Sequence, residues 1–344
     1  MSFENSSVPS NPQNALDRKR GGIIGLLIGL IGLFALSLFL GRYPATGLLS
    51  IGQLKTDALA RGLVFNLRLP RLLTALLLGM TLASAGTVFQ MLFTNPLVEP
   101  GFLGVSQGAA FGAALAIVFL NSSTFTVQLL AALFAVAGLG ISYLLARRLR
   151  YGGWVLRLVL SGIAVSALFS AGVGILKYLA DPLRQLPEIT FWMLGGLSSI
   201  TWARFLSILP VTLLGLVMLF LLRWRLNLLT LNEETAFSMG VSPKRERLLL
   251  LAAAVLPTAA VISVSGMVGW VGLIMPHIAR RIFGSDARFS LPAAMLMGGI
   301  FVIACDDLAR ILIPGEIPLG ILTSLLGAVI FIGLMAMRMV KVRR

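Results

Sequence analysis

The chain is poor in the residues that build most catalytic and metal centres. It holds one cysteine, Cys305, and one histidine, His277, in 344 residues. A single cysteine inside an apolar run excludes a disulfide framework and a cysteine-based metal site. A single histidine cannot build a zinc-binding histidine cluster. Charge is scarce at 12% of residues, and acidic charge scarcest, with 13 Asp and Glu against 28 Lys and Arg. No Walker loop, histidine pair or Gly-x-Ser-x-Gly elbow occurs, so no catalytic set is visible.

What the chain has instead is apolar length. Hydrophobic residues make up 58% of it and mean hydropathy is +0.95, too high and too blocky for a soluble core. A bilayer-crossing helix takes about 20 mainly apolar residues, and about ten such runs recur after Gly21, several of them short or broken by Gly and Pro. The sequence therefore predicts an all-α polytopic membrane protein with about ten transmembrane helices. With the N-terminus in the cytoplasm, about 19 of the 28 basic residues fall on the inner side. Among them are Arg18–Arg20, Arg147, Arg148, Arg150, Arg223, Arg225, Lys244, Arg245, Arg247, Arg280 and Arg281. The net charge of +15 thus reads as an orientation signal and an attraction to anionic lipid rather than as nucleic-acid binding.

Residues 1–20 are expected to form a disordered cytoplasmic tail and residues 21–340 one transmembrane domain, with both termini cytoplasmic. The first span is Gly21–Leu40, uncleaved because it is too long for a signal-peptide core. An outer loop follows to about Gly62, and the second span begins at Leu67-Arg68-Leu69-Pro70-Arg71. Thr94–Pro100 is a tight turn set by two prolines. In the third span Gly104, Gly108 and Gly112 recur at a spacing that lets a neighbouring backbone approach; packing within one subunit accounts for it without a ligand. Asp181–Trp202 is too apolar for a free loop and is expected to dip back as a short interfacial helix.

The polar island Asn227–Arg247 interrupts two long apolar runs. Asn232 suits an N-cap, Glu233 and Glu234 favour the first turn, and Gly240 can close the helix in the left-handed conformation. Ser242 followed by Pro243 reads as the cap and first residue of a second helix. The island is thus a compact helix-turn-helix at about residues 232–247. Near membrane depth lie Lys177, Asp306, Asp307 and Arg310, candidates for function by default. Asp306 and Arg310 are spaced i, i+4 and can instead pair with each other.

The run Thr94-Asn95-Pro96-Leu97-Val98-Glu99-Pro100 through Ala109 resembles the signature of the FecCD and vitamin B12-type permeases of bacterial ABC importers. So do Leu231–Val241, Phe191–Leu197, Ser265–Arg280 and Glu316–Thr323, in the expected order and over nearly everything after residue 20. The resemblance implies a type II importer permease of the inner membrane that dimerises with a second permease subunit around a central pathway. It implies two cytoplasmic ABC ATPase subunits that bind ATP and Mg, with no cofactor in this chain, and an external substrate-binding protein. The cargo it implies is an iron(III)-siderophore type chelate, with vitamin B12 or haem as alternatives.

The same resemblance makes the island the ATPase-coupling segment, carried by Glu233, Glu234, Ala236, Phe237, Gly240 and Pro243; Thr235 departs from the alanine of the general permease pattern. Arg68, Arg71 and Arg310 match positions that receive carboxylates of the binding protein, a task that suits the planar guanidinium fork, and Asp307 departs from a usually apolar position. Asn95, Pro96, Gly104, Gly108 and Gly112 belong to the family motif, and Gly152, Gly153 and Trp154 fall at the cytoplasmic gate. An ion-coupled secondary transporter using Asp306 and Asp307 is the competing class, but it has no need of the island. A membrane-embedded hydrolase lacks a nucleophile and base at recognisable spacing.

Overall fold

The structure, a computed structural model, describes residues 12–43, 47–120, 123–231, 233–240 and 242–342. Among them eight helices are long and apolar enough to cross a membrane. They are α1 (Pro12–Phe39), α4 (Leu69–Leu92), α6 (Thr124–Arg148), α7 (Trp154–Leu179), α9 (Trp202–Leu229), α11 (Pro243–Ser265), α13 (Ala287–Leu312) and α14 (Leu319–Val342). Against the ten passes expected, eight helices meet that length; the places of the other two are held by shorter helices, the apolar α5 (Val105–Phe119) and α12 (Val271–Phe283). Of the remaining helices, α2 (Ile51–Thr56) and α3 (Ala58–Gly62) precede α4, α8 (Gln185–Leu194) is the dipping helix of the outer segment, and α10 (Glu233–Ser238) lies in the island.

Two boundaries differ from the sequence expectation. Helix α1 begins at Pro12, inside the stretch expected to be a tail, while residues 1–11 lie outside the described residues. The expected outer loop Gly41–Gly62 carries a two-residue antiparallel ladder, Leu40–Gly41 against Gly47–Leu48, and then helices α2 and α3. From Ala58 the chain stays helical into α4, because a π-helical turn, Leu63–Arg68, precedes Pro70. Leu69 N–H donates to Val64 O rather than to an i−4 carbonyl. The wider turn absorbs the donor missing at Pro70 and the bulk of its ring, so the proline does not start a new helix.

Helix α4 is the axis of the bundle and is buried along almost its whole length. In a bilayer, helices gain little from hiding apolar surface from each other, so close backbone packing carries the association. Gly79 of α4 meets Gly298 of α13, and Gly86 meets Gly272 of α12; a Cβ on either α4 glycine would overlap the facing carbonyl. The glycine face of α5 does the same against α6, with Gly108 on Phe134 O and Gly112 on Leu130 O, while Gly138 of α6 lies on Gly104 O. Phe111, Phe134 and Phe169 interlock beside this seam, with ring centroids 5.1–6.1 Å apart.

The two ends of the bundle differ in chemistry. At one end Lys19 lies 5.4 Å over the Phe289 ring, Arg225 pairs with Glu246, and Arg247 sits 4.9 Å over Trp154. The turns carrying Arg147–Arg150 and Asp286–Arg288 adjoin these residues in the chain, so this is the basic end. At the opposite end stand α2, α3, α8 and the buried charges described below.

Candidate functional site

At the basic end, α10 sits between α9 and α11 and touches both. Ala236 turns inward and is buried, whereas Phe237 and Met239 are exposed at 73% and 58%. Gly240 closes the helix with φ +79, its N–H donating to Phe237 O at 2.9 Å. Pro243 is the first residue of α11, but the expected cap is incomplete. Ser242 holds the cap position without a side-chain hydrogen bond. Asn232 and Val241 lie outside the described residues, as do the side chains of Glu233 and Glu234. The result is a short helix with one face anchored and an apolar face presented outward.

Next to it, Asn95 Oδ1 accepts from Leu97 N–H at 2.9 Å and fixes the turn at Pro96. Asn95 and Pro96 border an open groove of about 470 Å³ whose other polar walls include Gln90, Asn227, Arg280 and Asp286. Asp286 caps α13 through Arg288 N–H at 2.9 Å and accepts from Asn227 Nδ2 at 2.7 Å. Burial pushes its carboxyl up, but the Arg288 and Asn227 hydrogen bonds outweigh this and leave it at about 2. Gly152 has φ +76, Gly153 holds the cap position of α7, and Trp154 stacks on Phe93 with centroids 5.7 Å apart. The Gly152–Trp154 turn therefore pins the start of α7 to the end of α4.

The opposite end holds a buried ionic network. Arg71 donates through Nε to Asp306 Oδ1 at 2.9 Å and through Nη1 to Glu316 at 3.0 Å. Arg310 lies 3.2 Å from Asp306 Oδ2 and also pairs with Asp307, which accepts from Ser37 Oγ. The remaining donors go to the end of α1. Arg68 Nη1 donates to Phe39 O at 3.1 Å, and Arg310 reaches Ser37 O and Leu40 O at 3.3 Å.

These guanidinium groups satisfy carbonyls that the last turn of α1 leaves open and complement its dipole. Sequence reasoning expects Arg68, Arg71 and Arg310 to reach outward, yet all are buried and committed to internal acceptors. Asp306 and Asp307 share the membrane-depth face of α13, where a carboxylate must be paired, and the arginines answer that need first. Lys177, half-buried at the end of α7, stands apart from this network.

Gln90 carries a role that its motif does not announce. Its Nε2 donates to Leu273 O at 3.0 Å and Gly272 O at 3.3 Å, while Oε1 accepts from Arg280 Nη2. One amide thus clamps both ends of the partial helix α12 to α4. The available signal is an amide-bearing side chain three residues inside the end of an apolar run.

Comparison with known proteins agrees with this architecture. The model of the FecCD transport family matches residues 27–337. The molybdate import system permease protein MolB of Haemophilus influenzae is 38% identical over 317 residues, covering 90% of this chain and 93% of that protein. The Fe(3+) dicitrate transport system permease protein FecC of Escherichia coli is 37% identical over 320 residues, covering 90% and 95%. A solved inward-facing metal-chelate type ABC transporter superposes with a TM-score of 0.83 at 38% identity, covering 91% of this chain and 97% of that one. With its membrane-crossing helices, its family match and these relatives, the chain belongs to the FecCD transport family and is a multi-pass permease of an ATP-binding-cassette importer.

Proposed function

We propose that this permease translocates a metal chelate of the iron(III)-siderophore type from an external binding protein into the cytoplasm, driven through α10. The observation that carries the reading is the presented face of α10, with Phe237 and Met239 exposed on a helix that packs against α9 and α11 and is separated from each by no more than four residues of chain. Such a lever passes a rigid-body movement to the bundle, where a flexible loop would absorb it. Two separate ATPase subunits dock there, bind ATP and Mg, and carry out the hydrolysis; this chain needs no cofactor of its own. A second permease copy or a paralogue completes the pathway, which the Gly152–Trp154 turn gates on the inner side.

The basic end is the cytoplasmic end, by the excess of Lys and Arg there, and both termini face that side. At the outer end the binding protein docks by exchange. Glu316 is half-exposed where Asp306 is fully buried, so an incoming carboxylate can replace Glu316 on Arg71. An iron(III) chelate accords with the Fe(3+) dicitrate cargo named for FecC and the metal-chelate class named for the solved relative; the molybdate cargo named for MolB is the alternative that the test must separate.

Reconstituted vesicles provide that test. With the ATPase and binding protein supplied, wild type takes up iron(III)-siderophore on ATP addition, and Phe237→Asp leaves ATP hydrolysis running while uptake falls at least ~10-fold, about 1.4 kcal/mol of lost coupling. Uptake by Phe237→Asp at the wild-type rate would refute the coupling role. Uptake of molybdate but no ferric chelate would refute the cargo.

A further inference from the structure

The turn between α4 and α5 carries a carboxylate into the bundle without a countercharge. Glu99 precedes the 3-10 turn Pro100–Leu103 and is half-buried. It sits against the start of α12, where a Cβ on Gly272 would lie 3.7 Å from the Glu99 Cβ, and among the described residues no cationic side chain pairs with it. Trp270, the residue before α12, holds φ +71, a conformation a bulky residue rarely takes. An ionised side chain at such depth is expensive unless something balances it.

Glu99 opens on a cavity of about 170 Å³ whose polar walls include Ser106 and Thr258, with Leu82, Ile262 and Val268 as apolar walls. Gly101 makes room for it. A Cβ there would lie 3.0 Å from Ser106 Oγ and 3.7 Å from Glu99 Oε1, so the two oxygens converge on the space the glycine leaves. Ser106 Oγ makes no hydrogen bond among the described residues. Thr258 Oγ1 spends its proton on Ala254 O at 2.7 Å and keeps its lone pairs for another partner. The donor set is oxygen only, as hard cations prefer, and the volume leaves room for roughly five to six waters at ~30 Å³ each. One carboxylate balances one positive charge, and the N-terminal end of α12 beside the cavity opposes a second.

We propose that this cavity binds a partly hydrated monovalent alkali cation, with Glu99, Ser106 and Thr258 as its oxygen ligands. The three ligands stand on the α4–α5 turn, α5 and α11, and Glu99 also lies beside Gly272 at the start of α12. An ion here fastens four segments that otherwise meet around an open space. The assignment is independent of cargo and of the ATPase.

The test is the melting temperature of the full-length protein in detergent, in sodium, potassium or choline chloride at equal ionic strength. Sodium or potassium is expected to raise Tm saturably by at least ~3 °C over choline, because a ligand bound only by the folded state stabilises it. Glu99→Gln is expected to abolish that response, and Ser106→Ala or Thr258→Val to raise the half-saturating concentration several-fold. Equal Tm of wild type in all three salts would overturn the proposal, as would an undiminished response in Glu99→Gln. Should Glu99→Gln fail to fold, unchanged half-saturation in both hydroxyl variants would overturn it equally. A response to micromolar calcium with none to sodium or potassium would overturn the monovalent assignment.

Discussion

Asp306 shows how one residue decides the state of several others. It is fully buried, and it is held by Arg71 from α4 and by Arg310 from its own helix. Removing one partner of a buried ion pair leaves an uncompensated charge, at a cost of about 3–5 kcal/mol. Arg71→Ala is therefore expected to lower the thermal stability of the purified protein sharply, while Arg71→Ala combined with Asp306→Ala recovers much of the loss; a double-mutant cycle measured by thermal unfolding checks this. The i, i+4 pairing of Asp306 with Arg310 is legible in the sequence, because spacing alone brings them together. The link to Arg71 is not, since 235 residues separate the partners.

Asp286 gives a pH dependence with a definite sign. Its carboxyl is held at about 2, below the ordinary value of about 3.9. The stability it contributes is complete above the ordinary value and is lost as pH falls through the depressed one. Asp286→Asn is expected to flatten the acid limb of stability between about pH 4 and about pH 2, and to keep neutral-pH stability within about 1 kcal/mol of wild type, because Asn caps a helix about as well as Asp and only the exposed Arg288 pair is lost. Unfolding followed by tryptophan fluorescence across that range measures both.

At the scale of elements, glycine positions on α4 set the distances between helices. Gly86→Val is expected to prevent close approach of α12, because any Cβ there meets the Gly272 carbonyl, and the variant should lose monodispersity on size exclusion where Gly25→Val, in open space on α1, does not. Gly240 differs in kind. Nothing lies within 4 Å of a Cβ there, but φ is +79, so a β-branched residue brings backbone strain of about 1–3 kcal/mol without a clash. Gly240→Val is thus expected to leave the bundle folded and to disturb α10 alone, read as uptake lost with insertion retained. The helices and their order were legible from apolar run lengths. The continuation of α4 back to Ala58 was not, because a π-helical turn can carry a helix past the position where proline normally ends it.

For the whole molecule, the separation of a basic end from an end with internally paired charge sets the expected orientation. Tyr151 at the basic end and Leu183 at the other are exposed at 82% and 92%, and Cys305 is buried. In intact cells, an impermeant thiol reagent is expected to label Leu183→Cys readily and Tyr151→Cys only after the membrane is opened. The reverse pattern would invert the topology and with it the place of the ATPases.

The sequence by itself determined the membrane class, the succession of helices, the island and the family, because each of these is written in local periodicity, capping chemistry and contiguous motifs. Tertiary structure alone decided that Arg68, Arg71 and Arg310 turn inward, that Gln90 clamps α12, and that Glu99 faces a cavity with two hydroxyls. The physical reason is the same in each case. A buried polar group must find a partner, and which partner lies within reach depends on how helices far apart in the chain are packed.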